Sequence, residues 1–333
     1  MEIALCHPTL EAIRYAPTLG CRIGYIELSW SLIQPEPGVF DFSYYDPMVQ
    51  QAAELGITLI GTVASQRGLH YFPHREWWIW NNHRGMMPDP EAWQYFLTTT
   101  VARYRSVIRG WEIWPEPNCL DCNPMSYYDP ALYRELLAFT SGTIRSVDPT
   151  AKLVLGGIWL NSQVQDYLEV LFEDRSIFEY FDIFSWHFYV MAQRREQIPF
   201  KIWQEPLCRL MKFFRSKLPA DYPVWVTEFG LPTTTDLSKI LCTSTRGGIV
   251  GMSETEQADW FTRFAQLAED EWGIDLLVWL MLADEVNPDN PDHFSSTVGL
   301  LRTDGSEKPA AARLAQLQAA NRAKRSVEQV LRV

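Results

Sequence analysis

The 333-residue sequence lacks the features that mark several large classes of protein. No stretch approaches the roughly 20 uninterrupted apolar residues of a membrane span. The first residues have neither the basic start nor the apolar core of a signal peptide. Six cysteines are too few for the dense framework of a small disulfide-rich fold. We therefore expect a cytoplasmic protein that contacts no membrane.

Basic residues are also in the minority, and the formal net charge is -12 at pH 7. Nucleic-acid partners require basic patches, so this balance argues against them. The chain is 47% hydrophobic and 14% aromatic, the opposite of a disordered composition. No Pro/Gly/Ser-rich linker and no sequence repeat interrupts it. The sequence therefore predicts a single domain over residues 1–333, and it does not indicate an oligomeric state.

Short β-branched or aromatic runs alternate along the chain with longer stretches of helical periodicity. The predicted strands are Ile3–Cys6, Ile23–Ser29, Thr58–Ala64, Gly110–Trp114, Leu153–Ile158, Ile183–Phe188, Val224–Thr227 and Leu276–Leu280. The predicted helices are Leu10–Leu19, Tyr45–Leu55, Pro90–Val107, Pro130–Val147, Val164–Glu173, Pro206–Lys217, Glu254–Trp272 and Pro309–Val327. Eight βα units without a GxGxxG motif favour a closed (β/α)8 barrel over an open doubly wound sheet.

Two carboxylates stand at the carboxyl ends of predicted barrel strands, where barrel enzymes build their active sites. Glu116 follows the fourth strand and Glu228 follows the seventh, and each has a tryptophan nearby in sequence. One such glutamate would most simply cap a helix or pair with an arginine. Two on strands that lie nearly across the barrel can face a shared cleft, which is what glycoside hydrolysis requires.

The sequence around these carboxylates resembles glycoside hydrolase clan A, most closely the family 39-like retaining β-glycosidases. Four segments carry the resemblance in order along the chain: Trp30–Phe42, Glu112–Asn118, Thr227–Gly230 and Val298–Ala310. The second is similar to the strand-four signature W-E-x-W-N-E-P-N, and the third to the strand-seven nucleophile motif. The resemblance implies a TIM barrel that cleaves β-glycosidic bonds of an oligosaccharide or polysaccharide.

The resemblance also implies roles for individual residues. Glu116 would be the acid/base, with a raised pKa, and Glu228 the nucleophile of a double displacement, their carboxyl groups about 5–5.5 Å apart. His187 and Tyr189 match strand-six residues near the nucleophile, and Trp279 matches an aromatic platform under the sugar. Each of these three is also a plausible barrel-core side chain. Hydrolysis by two carboxylates needs no metal or other cofactor.

Further aromatic and polar residues are predicted to bind substrate. They are Trp30, Trp77, Trp78, Trp114 and Asn118. Trp77 and Trp78 lie in the long loop 65–89, where exposed aromatic rings would stack on sugar faces or would instead cover the barrel mouth. Three histidines of this loop (His70, His74 and His83) have spacings that are poor evidence for a zinc site.

Several positions depart from the family pattern or admit a plain structural explanation. Pro115 replaces the asparagine that normally precedes the acid/base and bonds the sugar 2-hydroxyl, and Tyr25 stands where related enzymes often carry arginine. Glu112 is expected to be a buried, paired carboxylate, and the CxxC pair Cys119 and Cys122 to be loop thiols or a local disulfide.

Three explanations remain open for Pro115. The substrate lacks a free 2-hydroxyl, another group such as Asn118 or His187 makes the contact, or the protein binds carbohydrate with little or no catalysis. The sequence therefore supports two hypotheses, a retaining β-glycosidase and a catalytically weak or inactive carbohydrate-binding barrel.

Overall fold

A computed structural model describes residues 1–6, 9–64, 79–82, 85–119, 129–241, 248–285 and 293–322. Within these ranges no helix combines the length and apolar character needed to cross a bilayer. The thirteen strands of this part of the chain are β1 (Glu2–Cys6), β2 (Ile23–Ser29), β3 (Thr58–Ala64), β4 (Ile79–Asn82), β5 (Gly85–Pro88), β6 (Ile108–Ile113), β7 (Lys152–Leu155), β8 (Ile158–Trp159), β9 (Phe184–Tyr189), β10 (Val224–Gly230), β11 (Ile240–Leu241), β12 (Ile249–Val250) and β13 (Ile274–Trp279).

Nine of these strands form one sheet in the order β7-β6-β3-β2-β1-β13-β10-β9-β8. The end strands β7 and β8 are the two halves of the predicted fifth strand, interrupted at Gly156 and Gly157. Val154 of β7 bridges in parallel to Ile183, directly before β9, while β8 pairs with β9 itself. Counted this way, eight parallel strands close the ring, and the predicted (β/α)8 barrel is confirmed.

Helices follow most strands, as the predicted alternation requires. They are α1 (Leu10–Tyr15), α2 (Trp30–Ile33), α3 (Asp46–Glu54), α4 (Pro90–Tyr104), α5 (Pro130–Val147), α6 (Val164–Leu171), α7 (Phe200–Lys217), α8 (Glu254–Asp270) and α9 (Pro309–Arg322). The prediction was wrong for the start of α7, because Pro206 lies inside the helix and Pro199 precedes its first residue. Pro206 removes one backbone donor but does not end the helix.

The described chain divides into two compact units whose boundaries fall inside β2 and β9 rather than in linkers. The middle unit is Tyr25–His187, and its core includes Trp30, Trp93 and Phe96, whose ring centroids lie 5.0–5.6 Å apart. The terminal unit is Met1–Gly24 with Phe188–Arg332. In its core Phe188 stacks on Phe264 at 5.4 Å.

Candidate active site

The first candidate carboxylate lies in a strained turn after β6. Trp114 and Glu116 both have left-handed backbone, with φ angles of 61° and 52°, and each precedes a proline. Such values cost non-glycine residues about 1–3 kcal/mol each and concentrate at functional sites. The turn is held on both sides, because Trp114 N–H donates to Val63 O and Glu116 N–H donates to Gly157 O, both at 3.0 Å. The Glu116 side chain is 15% exposed.

Two glycines between β7 and β8 allow this turn to approach the neighbouring strand. A Cβ on Gly156 would lie 1.8 Å from Trp114 O, and a Cβ on Gly157 would lie 1.9 Å from His187 Nε2. Tyr133 of α5 links the end of β6 to the end of β7, since its hydroxyl donates to Ile113 O at 2.9 Å and accepts from Gly156 N–H at 2.8 Å. Burial raises the pKa of Tyr133, which keeps this hydroxyl a donor.

His187 of β9 lies between two carboxylates of the middle unit. Its Nδ1 is 2.9 Å from Glu116 Oε1, and its Nε2 is 3.8 Å from Glu112 Oε1. The ring is fully buried. Because each ring nitrogen faces a carboxylate, His187 is able to fix the orientation of Glu116 and to share a proton with it.

Glu112 is fully buried beneath His187, as the sequence predicted. Its Oε1 accepts hydrogen bonds from the Tyr25 hydroxyl at 2.8 Å and from Gly157 N–H at 3.2 Å. Ser185 Oγ lies 3.2 Å from Oε2, and Thr62 donates in turn to the Tyr25 hydroxyl. Neutral hydroxyl and backbone donors, Tyr25 among them, therefore contact this carboxylate, and His187 Nε2 faces it at 3.8 Å.

The second candidate carboxylate lies in the terminal unit. Glu228 is inside β10, which runs on to Gly230 rather than ending at Thr227, and the residue is 7% exposed. The Tyr189 hydroxyl donates to Glu228 Oε2 in a short hydrogen bond. A Cβ on Gly230 would lie 2.6 Å from Tyr189 Cδ1, so the glycine makes room for the tyrosine ring.

Three of the predicted substrate-binding tryptophans are buried. Trp30 donates from Nε1 to Gln34 at 2.8 Å, and Trp114 packs edge-on against Trp93 at 6.0 Å. Trp279 donates from Nε1 to Val298 O at 2.9 Å and packs against Phe261. These rings support the walls of the fold, and their contact with a sugar remains a prediction.

Asn118 is buried and binds the backbone of a residue that the sequence analysis did not single out. Its Nδ2 donates to Trp159 O and its Oδ1 accepts from Trp159 N–H, both at 2.8 Å. The polar atoms of the Asn118 and His187 side chains face protein groups, and a contact of either with a sugar 2-hydroxyl stays a prediction. Trp159 itself is half-buried at the end of β8.

The remaining predicted residues of the long loop are not among those described. Trp77, Trp78, His70, His74 and His83 fall outside the described ranges. The same loop contains the antiparallel pair β4–β5, which the sequence analysis did not predict. Cys119 is disulfide-bonded, whereas Cys122 lies outside the described residues.

Comparison with protein-family models gives no match, and comparison with curated proteins gives none. Solved structures do match in fold. A family 39 glycoside hydrolase from the gut symbiont Bacteroides cellulosilyticus WH2 is 21% identical with a TM-score of 0.67, over 96% of this chain and 63% of that chain. The chain has the fold of the family 39 glycoside hydrolases.

Two further solved structures are similar in fold to this chain. The family 39 enzyme from Xanthomonas axonopodis pv. citri is 15% identical with a TM-score of 0.66, over 96% of this chain and 66% of that one. Xylanase 10B from Thermotoga petrophila RKU-1, solved with xylobiose, is 14% identical with a TM-score of 0.64, over 96% and 94%. The present chain therefore spans less than two-thirds of the length of these two family 39 structures.

Proposed function

We propose that the protein is a retaining glycoside hydrolase that cleaves β-glycosidic bonds of an oligosaccharide or polysaccharide. One observation carries the proposal: each of two glutamates at the carboxyl ends of barrel strands is oriented by its own buried partner. Glu116 is held by His187 at 2.9 Å, and Glu228 by the Tyr189 hydroxyl. Glycosidases act through such a pair, with one carboxyl as the acid and the other as the nucleophile.

In the first step Glu228 attacks the anomeric carbon while Glu116 protonates the departing oxygen. The bond to the leaving group breaks as a glycosyl ester of Glu228 forms. His187 Nδ1 lies 2.9 Å from Oε1 of Glu116, and the tautomer with its proton on Nδ1 donates to Oε1, which leaves Oε2 to carry the transferred proton. Tyr189 donates to Oε2 of Glu228 and orients that carboxylate for attack.

In the second step Glu116, now ionised, takes a proton from water, and the resulting hydroxide displaces Glu228 from the anomeric carbon. The sugar leaves with its original anomeric configuration. This double displacement requires the two carboxyl groups to stand about 5–5.5 Å apart in the catalytic complex. No step requires a metal or an organic cofactor.

A carbohydrate-binding barrel without turnover is the second candidate, and Pro115 favours it. The proline has neither a side-chain donor nor a backbone N–H to offer a sugar 2-hydroxyl. Hydrogen bonds to that hydroxyl strengthen in the transition state and supply several kcal/mol. Losing about 3 kcal/mol would slow hydrolysis on the order of a hundredfold.

The test is hydrolysis of a broad panel of aryl β-glycosides and polysaccharides by the wild type, Glu116→Gln and Glu228→Gln. The proposal predicts turnover with retained anomeric configuration, lost in Glu228→Gln while glycan affinity persists. Turnover that survives in Glu228→Gln would contradict the assigned nucleophile. Glycan binding without any turnover in the wild type would favour the second candidate.

A further inference from the structure

The end of β8 carries a half-buried tryptophan with no role in the two-carboxylate chemistry. Trp159 pairs in parallel register with His187 of β9. Residues paired in this way project from the same face of a sheet. Since the His187 ring reaches Glu116, Trp159 lies on the face that carries the acid/base, one strand away.

The backbone of Trp159 is tied to the acid/base turn more closely than strand pairing requires. Asn118, two residues after Glu116, binds both its N–H and its carbonyl at 2.8 Å. Asn161 Nδ2 donates back to Asn118 O at 3.1 Å, and Glu116 N–H donates to Gly157 O at 3.0 Å. Trp159 and Glu116 are thus fixed relative to each other by four hydrogen bonds within the middle unit.

The position of the acid decides which part of a substrate lies nearby. An acid that protonates the glycosidic oxygen stands beside the departing group. An aromatic ring anchored to that acid therefore meets the sugar on the leaving side of the scissile bond. Indole offers a large apolar face, and the C–H face of a pyranose is its apolar counterpart.

We propose that Trp159 is the stacking platform for the leaving-side sugar of an oligosaccharide or polysaccharide substrate. This inference rests on the proposed function, because it takes Glu116 as the acid. Its consequence is a preference for saccharide leaving groups over small ones. Asn118 then acts as a positioning residue that keeps the platform in register with the acid.

The test compares Trp159→Ala with wild type on two substrates that have the same glycon. One is the best oligosaccharide found in the hydrolysis panel, and the other is the matching glycosyl fluoride, whose leaving group is too small to stack. Trp203→Ala is the matched control, since Trp203 is a half-buried tryptophan on the outer helix α7. Trp159→Phe keeps an aromatic face if the alanine variant folds poorly.

We expect kcat/KM of Trp159→Ala on the oligosaccharide to fall about thirtyfold, the loss expected when a sugar no longer covers an indole face. On the glycosyl fluoride, kcat/KM of Trp159→Ala should stay within about twofold of the wild-type value, because a fluoride leaving group buries no apolar surface against the indole. Trp159→Phe should recover most of the activity, and Trp203→Ala should match wild type on both substrates. An equal loss on oligosaccharide and fluoride, or no loss on either, would overturn the platform.

Failure of the proposed function is distinguishable from failure of this inference. If the wild type hydrolyses neither substrate, the proposed function fails. The assignment of Trp159 to the leaving-side sugar then fails with it. Titration calorimetry of an oligosaccharide with Trp159→Ala and Trp203→Ala shows whether the indole contacts sugar at all: weaker binding in the first alone keeps Trp159 as a sugar contact of the second candidate, and equal binding in both removes that role too.

Discussion

His187 Nδ1 lies 2.9 Å from Glu116 Oε1, so a fully buried imidazole is in direct contact with the carboxyl group assigned as the acid. Through Nε2 the same ring faces the buried Glu112 carboxylate at 3.8 Å. The acid is therefore supported from beneath by a polar network that includes Tyr25 and Thr62. The candidate site is therefore expected to depend on this support and on the residues packed around it.

Removing the imidazole should impair protonation of the leaving group more than nucleophilic attack. For His187→Phe we expect kcat/KM on glycosides with poor leaving groups to fall about a hundredfold, within the range of general acid catalysis. Glycosyl fluorides, which need little proton transfer, should be affected far less. His187→Asn offers an amide donor and should recover part of the loss. Equal losses on both substrate types would contradict the role given to His187.

Gly157 is predicted to be essential because its missing Cβ leaves room for the His187 ring. In Gly157→Ala the new methyl would lie 1.9 Å from Nε2, and the ring must leave the position in which its Nδ1 contacts Glu116. A displacement of about 1 Å at a catalytic group costs on the order of a hundredfold in rate. Steady-state kinetics on the best substrate measures this loss.

Gly142 of α5 provides the matched control for that substitution, since a Cβ there meets no atom within 4 Å. Gly142→Ala should leave kcat and KM unchanged and raise the free energy of unfolding by about 0.5–1 kcal/mol, the usual gain in a helix interior. If Gly157→Ala were as active as Gly142→Ala, the close packing of Gly157 against His187 would have no catalytic consequence.

Pro115→Asn tests whether the departure from the family pattern limits catalysis. Asparagine restores a side-chain donor beside the acid, so kcat/KM on substrates with a free 2-hydroxyl should rise about tenfold, the effect of roughly 1.4 kcal/mol. The matching 2-deoxy glycosides should show no gain. A rise on both substrates, or a fall on both, would show that Pro115 acts through the shape of the turn instead.

A buried ion pair in the terminal unit is predicted to stabilise the fold. Lys308 Nζ lies 2.8 Å from Asp284 Oδ1 and 2.9 Å from Thr233 Oγ1. Burial lowers the pKa of Lys308 and raises that of Asp284, while each charge opposes the shift of the other. Lys308→Met should cost about 3 kcal/mol in the free energy of unfolding, because it leaves a carboxylate buried without its cation.

The pH dependence of that variant has a definite sign. Without Lys308, burial alone raises the pKa of Asp284, so the folded state binds more protons than the unfolded state at mildly acidic pH. The loss in the free energy of unfolding caused by Lys308→Met should therefore shrink as the pH falls towards 4. The double variant Lys308→Met/Asp284→Asn should recover much of that loss at pH 7. Urea unfolding at several pH values measures both effects, and a deficit that grows on acidification would refute the assignment.

Much of the fold was accessible from sequence because the local signals agreed with one another. The strand Ile23–Ser29 and the helix Pro130–Val147 have the predicted ends, and Asp129 caps that helix through Ala131 N–H. Glu112 was expected to be buried because it lies a layer deeper in the barrel than Glu116, and the structure buries it fully.

What the sequence did not reveal depends on contacts between distant residues. The interruption of the fifth strand at Gly156 and Gly157 is explained by the Trp114 carbonyl and the His187 ring, whose positions no local pattern encodes. The pairing of Asn118 with the backbone of Trp159 joins residues 41 apart. The one sequence signal for Trp159 was that an aromatic residue directly follows the predicted end of the fifth strand.

The central claim is that Glu228 forms a covalent bond with the sugar, and labelling with activated 2-deoxy-2-fluoro glycosides tests it most directly. The electron-withdrawing fluorine slows release of the glycosyl enzyme, so a substrate of matching glycon should add its mass to the protein. We predict that peptide mapping places the label on Glu228 and that Glu228→Gln takes up none. A label on another carboxylate, or turnover with inverted product and no label at all, would contradict the account.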